Sequence, residues 1–127
     1  MHCQAQILKL LFCSLALTGC SRAPSVQEVI GRYVQIHDGT RDILVVKPDR
    51  TYEHIWYVSG NPTKQNSKWD DDGVVQEDYF SYCRRISFWS FEIPGRKGFW
   101  PACIEKSVLG KITITTDPDL GTHYEKE

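Results

Sequence analysis

The feature that most limits how this chain can fold is its punctuation. Beyond residue 30, short runs of β-branched and aromatic residues recur at steady spacing, and a turn signal closes each one. Residues 31–36, 43–46, 51–58, 64–69, 86–93, 99–106, 111–116 and 122–125 read as strands. Between them stand Asp38-Gly39, the stretch 47–50 with Pro48, the stretch 59–62 with Gly60 and Pro62, the acidic 70–73, Pro94-Gly95-Arg96-Lys97, Leu109-Gly110 and the stretch 117–121. Residues 74–82 are ambiguous between a short strand and a loop. Many short strands at even spacing predict an antiparallel meander of about seven or eight strands that closes into a sandwich or barrel. Closure also removes the unpaired edges that invite aggregation.

Finer patterning supports this. Residues 51–58 alternate, placing Tyr52, His54, Trp56 and Val58 on one face and Ile55 and Tyr57 on the other. The run Ile43-Leu44-Val45-Val46 is continuous, as in a strand buried on both faces. Residues 86–93 are the clearest core strand. Ahead of the strands, Ser25 and Glu28 form a capping-box pattern over residues 26–30, and Gly31 ends that short helix. Aromatic residues make up 12 % of the chain, and this apolar content argues against disorder.

The first 19 residues have the layout of a secretory signal: a polar start carrying Lys9, an apolar run over 10–17, then the small residues Thr18 and Gly19. The run is too short for a membrane-spanning helix, which takes about 20 residues. Leu17-Thr18-Gly19-Cys20 resembles the lipobox of bacterial lipoproteins. That resemblance implies cleavage between Gly19 and Cys20 and thioether attachment of diacylglycerol to the Cys20 sulfur, usually followed by acylation (palmitate is the common chain) of the new amino terminus. A thiolate suits this step because it is the strongest side-chain nucleophile. One acyl chain holds a protein only marginally, whereas two or three hold it persistently. Ser21 after the cysteine, by resemblance to Gram-negative lipoproteins, implies the outer membrane, facing the periplasm. The expected organisation is a removed signal over 1–19, a lipidated tether over 20–25, and one β domain over 26–127. The tether spans less than about 18 Å.

Five cysteines then divide by position. Cys3 and Cys13 leave with the signal, Cys20 takes the lipid, and Cys83 and Cys103 remain. In an oxidising compartment these two are expected to form a disulfide, closing a loop of about 20 residues at a gain of about 3 kcal/mol. Free buried thiols and a metal pair are the alternatives. One difficulty stands against the bridge: a four-residue turn at 94–97 places Cys103 opposite Phe88, not near Cys83.

The domain itself resembles small lipocalin-like barrels of uncharacterised bacterial lipoproteins. Gly31-Arg32-Tyr33 after a short helix, Pro48-Asp49-Arg50-Thr51-Tyr52, Ser67-Lys68-Trp69 and Lys111-Ile112-Thr113-Ile114 carry the resemblance. Lipocalins proper have tryptophan where Tyr33 stands, and they are longer.

Catalytic and metal signals are weak. Asp70-Asp71-Asp72-Gly73 fails the calcium-loop test, since aligning its glycine puts Lys68 first and Tyr79 twelfth. It reads as an acidic hairpin turn. His37, His54 and His123 lie at no zinc spacing, so no metal or cofactor is expected beyond the lipid on Cys20. Glu92 and Glu105 on adjacent strands are the one carboxylate pair that could face each other. Neither a nucleophile elbow nor a phosphate-binding loop is present. With formal net charge −1, the chain has no basic stripe for nucleic acid. The expected role is therefore a non-catalytic binding module of the cell envelope. Tyr52, His54, Trp56, Trp89 and Trp100, with Phe91 and Phe99 beside them, are the candidates to line a barrel mouth for a small apolar or sugar-like ligand. The alternative is a protein partner, as for an envelope inhibitor or immunity protein. A filled barrel with an exposed aromatic patch would favour the second.

Overall fold

A computed structural model of the chain describes residues 21–127, apart from 38, 39, 78, 80, 94, 95 and 118–121. The signal segment, Gly19 and Cys20 lie outside the described residues, as do the Asp38-Gly39 and Pro94-Gly95 turns.

The elements are β1 (Ser21–Arg22), α1 (Val26–Val29), β2 (Gly31–His37), β3 (Thr40–Val46), β4 (Thr51–Val58), β5 (Asn61–Gln76), β6 (Tyr82–Ile93), β7 (Arg96–Ser107), β8 (Ile112–Asp117) and β9 (Thr122–Lys126). Strands β2 to β9 pair each with the next, all antiparallel, and β9 returns to pair with β2. The result is a closed eight-stranded up-and-down barrel, the expected all-β meander. Its alternation is plainest in β4, where Tyr52, His54 and Trp56 are buried and the residues between them are not. In β3, Ile43, Leu44 and Val46 are buried and Val45 is half-buried.

The short helix forms as its capping box predicts. Ser25 Oγ accepts from the Glu28 N–H, and the Glu28 carboxylate accepts from the Ser25 N–H. Val29, at its end, is fully buried with the barrel core. Tyr33 reaches back from β2 to donate to the Val29 carbonyl at 2.6 Å, satisfying a helix-end acceptor that would otherwise be buried without a partner. The helix thus stoppers one end of the barrel. Burial raises the Tyr33 hydroxyl pKa. Gly31 does not end the helix as expected. Ile30 is the C-cap, and Gly31 begins β2 at φ 151°, where a Cβ would lie 2.5 Å from Lys126 Cε.

Three departures from the sequence reading have local causes. The break at 59–62 is a two-residue turn. Ser59 and Gly60 both take positive φ, the primed geometry of tight hairpins, so Pro62 already lies in β5, opposite Tyr57. The acidic stretch 70–73 is no hairpin turn either. It lies inside β5, a strand of 16 residues whose first half pairs with β4 and whose second half pairs with β6. A bulge between Asp71 and Gly73, with Gly73 at φ 90°, bends the strand there. The third departure concerns the β6–β7 hairpin. Ile93 pairs with Arg96, so the turn is shorter than expected, and a bulge between Phe88 and Phe91 shifts the register again. Cys103 therefore faces Arg85 rather than Phe88. Cys83 becomes its diagonal neighbour, with Cα atoms 5.5 Å apart, and the two form the disulfide.

The core is one cluster inside the barrel, built on Tyr33, Leu44, Tyr52, Trp69, Phe88, Ile104, Ile114 and Tyr124 among others. An eight-stranded barrel has an interior just wide enough for its side chains.

Candidate functional site

Four of the five proposed ligand-lining residues meet inside the barrel. Tyr52, His54 and Trp56 come from the inner face of β4, and Trp100 comes from β7. Phe88 and Phe91 of β6 pack between them. His54 stacks on Phe91 with centroids 4.4 Å apart and lies 4.5 Å from Trp56. Trp100 is 4.6 Å from Phe91 and 5.4 Å from Phe88. Tyr52 meets Phe88 edge-on at 5.2 Å. At these spacings the rings pack directly against one another. Tyr52 is fully buried, and its hydroxyl donates to the Trp89 carbonyl at 2.6 Å. Burial pushes its pKa up to about 12.

Trp89 does not join them. In a regular strand Trp89 and Phe91 would share a face, as the sequence suggests. The bulge at Ser90, which takes φ 52°, instead turns Phe88 and Phe91 inward together and sends Trp89 out. Trp89 is 40 % exposed and Phe99 55 %. Their rings lie 4.9 Å apart on the outer wall. The indole is held from both sides: its N–H donates to Asp70 at 2.7 Å, and the Lys68 ammonium sits 5.5 Å from the ring centroid. This patch is a fixed aromatic surface on the β6–β7 hairpin, with exposed Lys97, Gly98 and Pro101 beside it.

A polar trio sits among the inner rings, of which the sequence reading points to His54 but not to Asp42 or Tyr124. His54 is 1 % exposed, and its Nε2 lies 2.6 Å from Asp42 Oδ1 and 3.3 Å from the Tyr124 hydroxyl. Burial first, then the Asp42 carboxylate, drives the Tyr124 pKa well upward. The other ring nitrogen of His54, Nδ1, is buried with no hydrogen-bond partner among the described residues. The signal for this trio was present: Asp42 stands two residues before Leu44, which faces His54 across the β3–β4 ladder, so Asp42 shares the inner face.

The remaining candidates disperse. Glu92 pairs with Lys97 near one end of β7, whereas Glu105 pairs with β8 near the other. Eight residues of strand separate these levels, about 26 Å at the usual rise. The carboxylate pair is not formed. Each aspartate of the acidic stretch has its own donor: Asp70 the Trp89 indole, Asp71 the Arg84 guanidinium at 2.9 Å and the Gly73 N–H, and Asp72 the Ser87 hydroxyl. For Asp71, burial alone would raise the pKa, but Arg84 and the Gly73 N–H bring it below the ordinary value. Glu77 lies near Cys83 and Cys103, but the bridged sulfurs offer no thiolate to a metal. A shallow recess of about 500 Å³ is bounded by Lys47, Thr51, Tyr52, Asn66, Ser67 and Lys68.

Against protein-family models, curated proteins and solved structures alike, the chain finds no match.

Proposed function

We propose that this protein is a lipid-anchored, non-catalytic binding module of the cell envelope that recognises a protein partner through the Trp89–Phe99 face. The observation that carries the reading is the outward Trp89–Phe99 pair, whose Trp89 indole is hydrogen-bonded to Asp70 and lies beside the Lys68 ammonium. Large rings held rigid on a surface bury much area at little cost in side-chain freedom, which is the profile of an interface anchor. The inner rings support the same choice, because they are engaged with one another.

A photo-crosslinking residue at position 99 of the exported protein tests this. Discrete adducts of defined mass are expected, and they should disappear when Trp89 is changed to serine. A crosslinking pattern no different from that at Asn61 would count against the face as a binding site.

One observation favours a second reading, the small-ligand binder. The orphaned His54 Nδ1 amid Trp56 and Phe91 is a polar anchor of the kind that orients an apolar or sugar-like ligand. Native mass spectrometry of the protein extracted from membranes distinguishes the two: a bound small molecule lost in H54F supports the ligand reading.

A further inference from the structure

We propose that the helix-stoppered end of the barrel rests on the bilayer, with the β7–β8 hairpin tip, Val108 and Leu109, entering the lipid interface beside the anchor. This rests on reading Cys20 as lipidated.

Strand direction defines the two ends. Strand β2 leaves the helix end, so the odd-to-even order of the meander places the connections 47–50, 77–81 and 107–111 at that end, together with α1. The β4–β5 turn at Ser59-Gly60 lies at the other. Strand β1 is tied to the helix end: Ser21 pairs with Ser107 and Arg22 with Lys106. Arg84 adds a second tie, donating to the Pro24 carbonyl at 2.7 Å. Ser21 directly follows Cys20, so a lipid on Cys20 leaves the bilayer one peptide unit from a residue already paired to the hairpin. No free tether remains to hold the barrel away.

At that level the barrel offers what an interface takes. Leu109 is 96 % exposed and Val108 39 %. They do not sit on a loose loop. Ser107 donates to the Lys111 carbonyl, the Gly110 N–H donates back to Ser107, and the Ser107 hydroxyl accepts from the Lys111 N–H. An apolar side chain held out on a closed turn has no intramolecular use. Tyr79, 82 % exposed, stands at the same end, and an amphipathic ring suits the headgroup level. Lysines rim the tip. Lys106, Lys111 and Lys126 line a recess of about 320 Å³ beside it, where Lys106 pairs with Glu28, Lys126 donates to the Glu28 carbonyl and Lys111 pairs with Glu125, so the contact with lipid falls to the apolar tip itself. A protein partner would not explain why the exposed leucine lies next to the lipid attachment point. The Trp89–Phe99 face, farther up the β6–β7 hairpin, stays clear of the membrane.

The test uses the full lipidated protein reconstituted in vesicles of phosphatidylethanolamine and phosphatidylglycerol. An environment-sensitive dye is placed at L109C, and in a second preparation at N61C. With Cys83 and Cys103 bridged and Cys20 acylated, each variant has one reactive thiol. Nitroxide-labelled lipids should quench the dye at 109 and leave that at 61 unchanged. Equal, negligible quenching at both positions, in protein that floats with the vesicles, overturns the docking while leaving the anchor intact. A separate measurement reports the anchor: the parent should carry acyl mass on Cys20 and float, and C20S should do neither. If C20S floats as the parent does, the lipidation reading fails and the docking proposal fails with it.

Discussion

Glu28 shows how much a single side chain of this small domain is asked to do. It closes the capping box with Ser25, pairs with Lys106 of β7, and lies in the helix whose carbonyl receives the Lys126 ammonium. The Lys106 hydrogen bond first, then the Ser25 N–H, hold its carboxyl down to about 2, against an ordinary 4.5. A carboxyl depressed on folding contributes stability that is fully present above its unfolded pKa and lost as pH falls toward the folded one. Thermal stability should therefore decline between pH 4.5 and 2, with Asp71 acting in the same direction. In E28Q the amide keeps the capping geometry but not the charge. It should lose about 0.5–1 kcal/mol at pH 7 and show a shallower acid decline, read by melting temperature against pH. An acid decline of unchanged slope would show that Glu28 does not carry it. The capping box was legible in the sequence because it is local. The partner Lys106 was not, since 78 residues separate the two.

The strands of this barrel were legible where they alternate and obscure where they bulge. Strand β4 was read with its observed ends and faces because one face is apolar and ordinary turns flank it. The sequence splits strand β5 in two because its outer face is mostly polar and its middle, Asp70 to Gly73, has turn composition. Tertiary pairing on both sides overrides that composition, and Gly73 supplies the positive φ for a bulge instead. The bulge at Ser90 had no glycine to announce it, and so Trp89 was assigned to the wrong side of the wall. A β-branched residue at positive φ is strained, so S90V should destabilise the protein by about 1–3 kcal/mol and release Trp89 from its Asp70 contact. Denaturant titration and the indole emission maximum measure these two effects separately. The same hairpin carries the disulfide across 20 residues of sequence. Replacing both cysteines, as C83S with C103S, should remove about 3 kcal/mol in the chain-entropy model. A midpoint unchanged in non-reducing urea titrations would show that the bridge adds nothing to the fold.

At the scale of the whole molecule, the barrel depends on its closing seam. The other neighbouring pairs among β2 to β9 are consecutive in sequence, but β2 must meet β9 across nearly the full domain. Among the described residues their ladder includes Tyr33 with Lys126 and Val34 with Glu125, extended by the Glu127 N–H to the Arg32 carbonyl at 2.9 Å. Tyr124 adds a side-chain lock to this seam: it is 1 % exposed in the common core and reaches the His54–Asp42 pair from β9. Without its ring, β9 would leave β2 and β8 as open edges, so the seam and the core should fail together. Y124A should therefore cost about 3–5 kcal/mol, as large aromatic truncations do. Y124F, which keeps the ring and loses only the hydroxyl, should cost about 1–2 kcal/mol. Both should unfold in a single transition, followed by tryptophan emission and far-ultraviolet circular dichroism in urea. Because the seam joins the first barrel strand to the last, refolding should be slow for a domain of this size, on the millisecond-to-second scale of non-local β topologies. Y124A should slow refolding only to the extent that closure precedes the transition state. If Y124A proved no worse than Y124F, the β2–β9 ladder itself, rather than the tyrosine ring, would have to be holding the barrel shut.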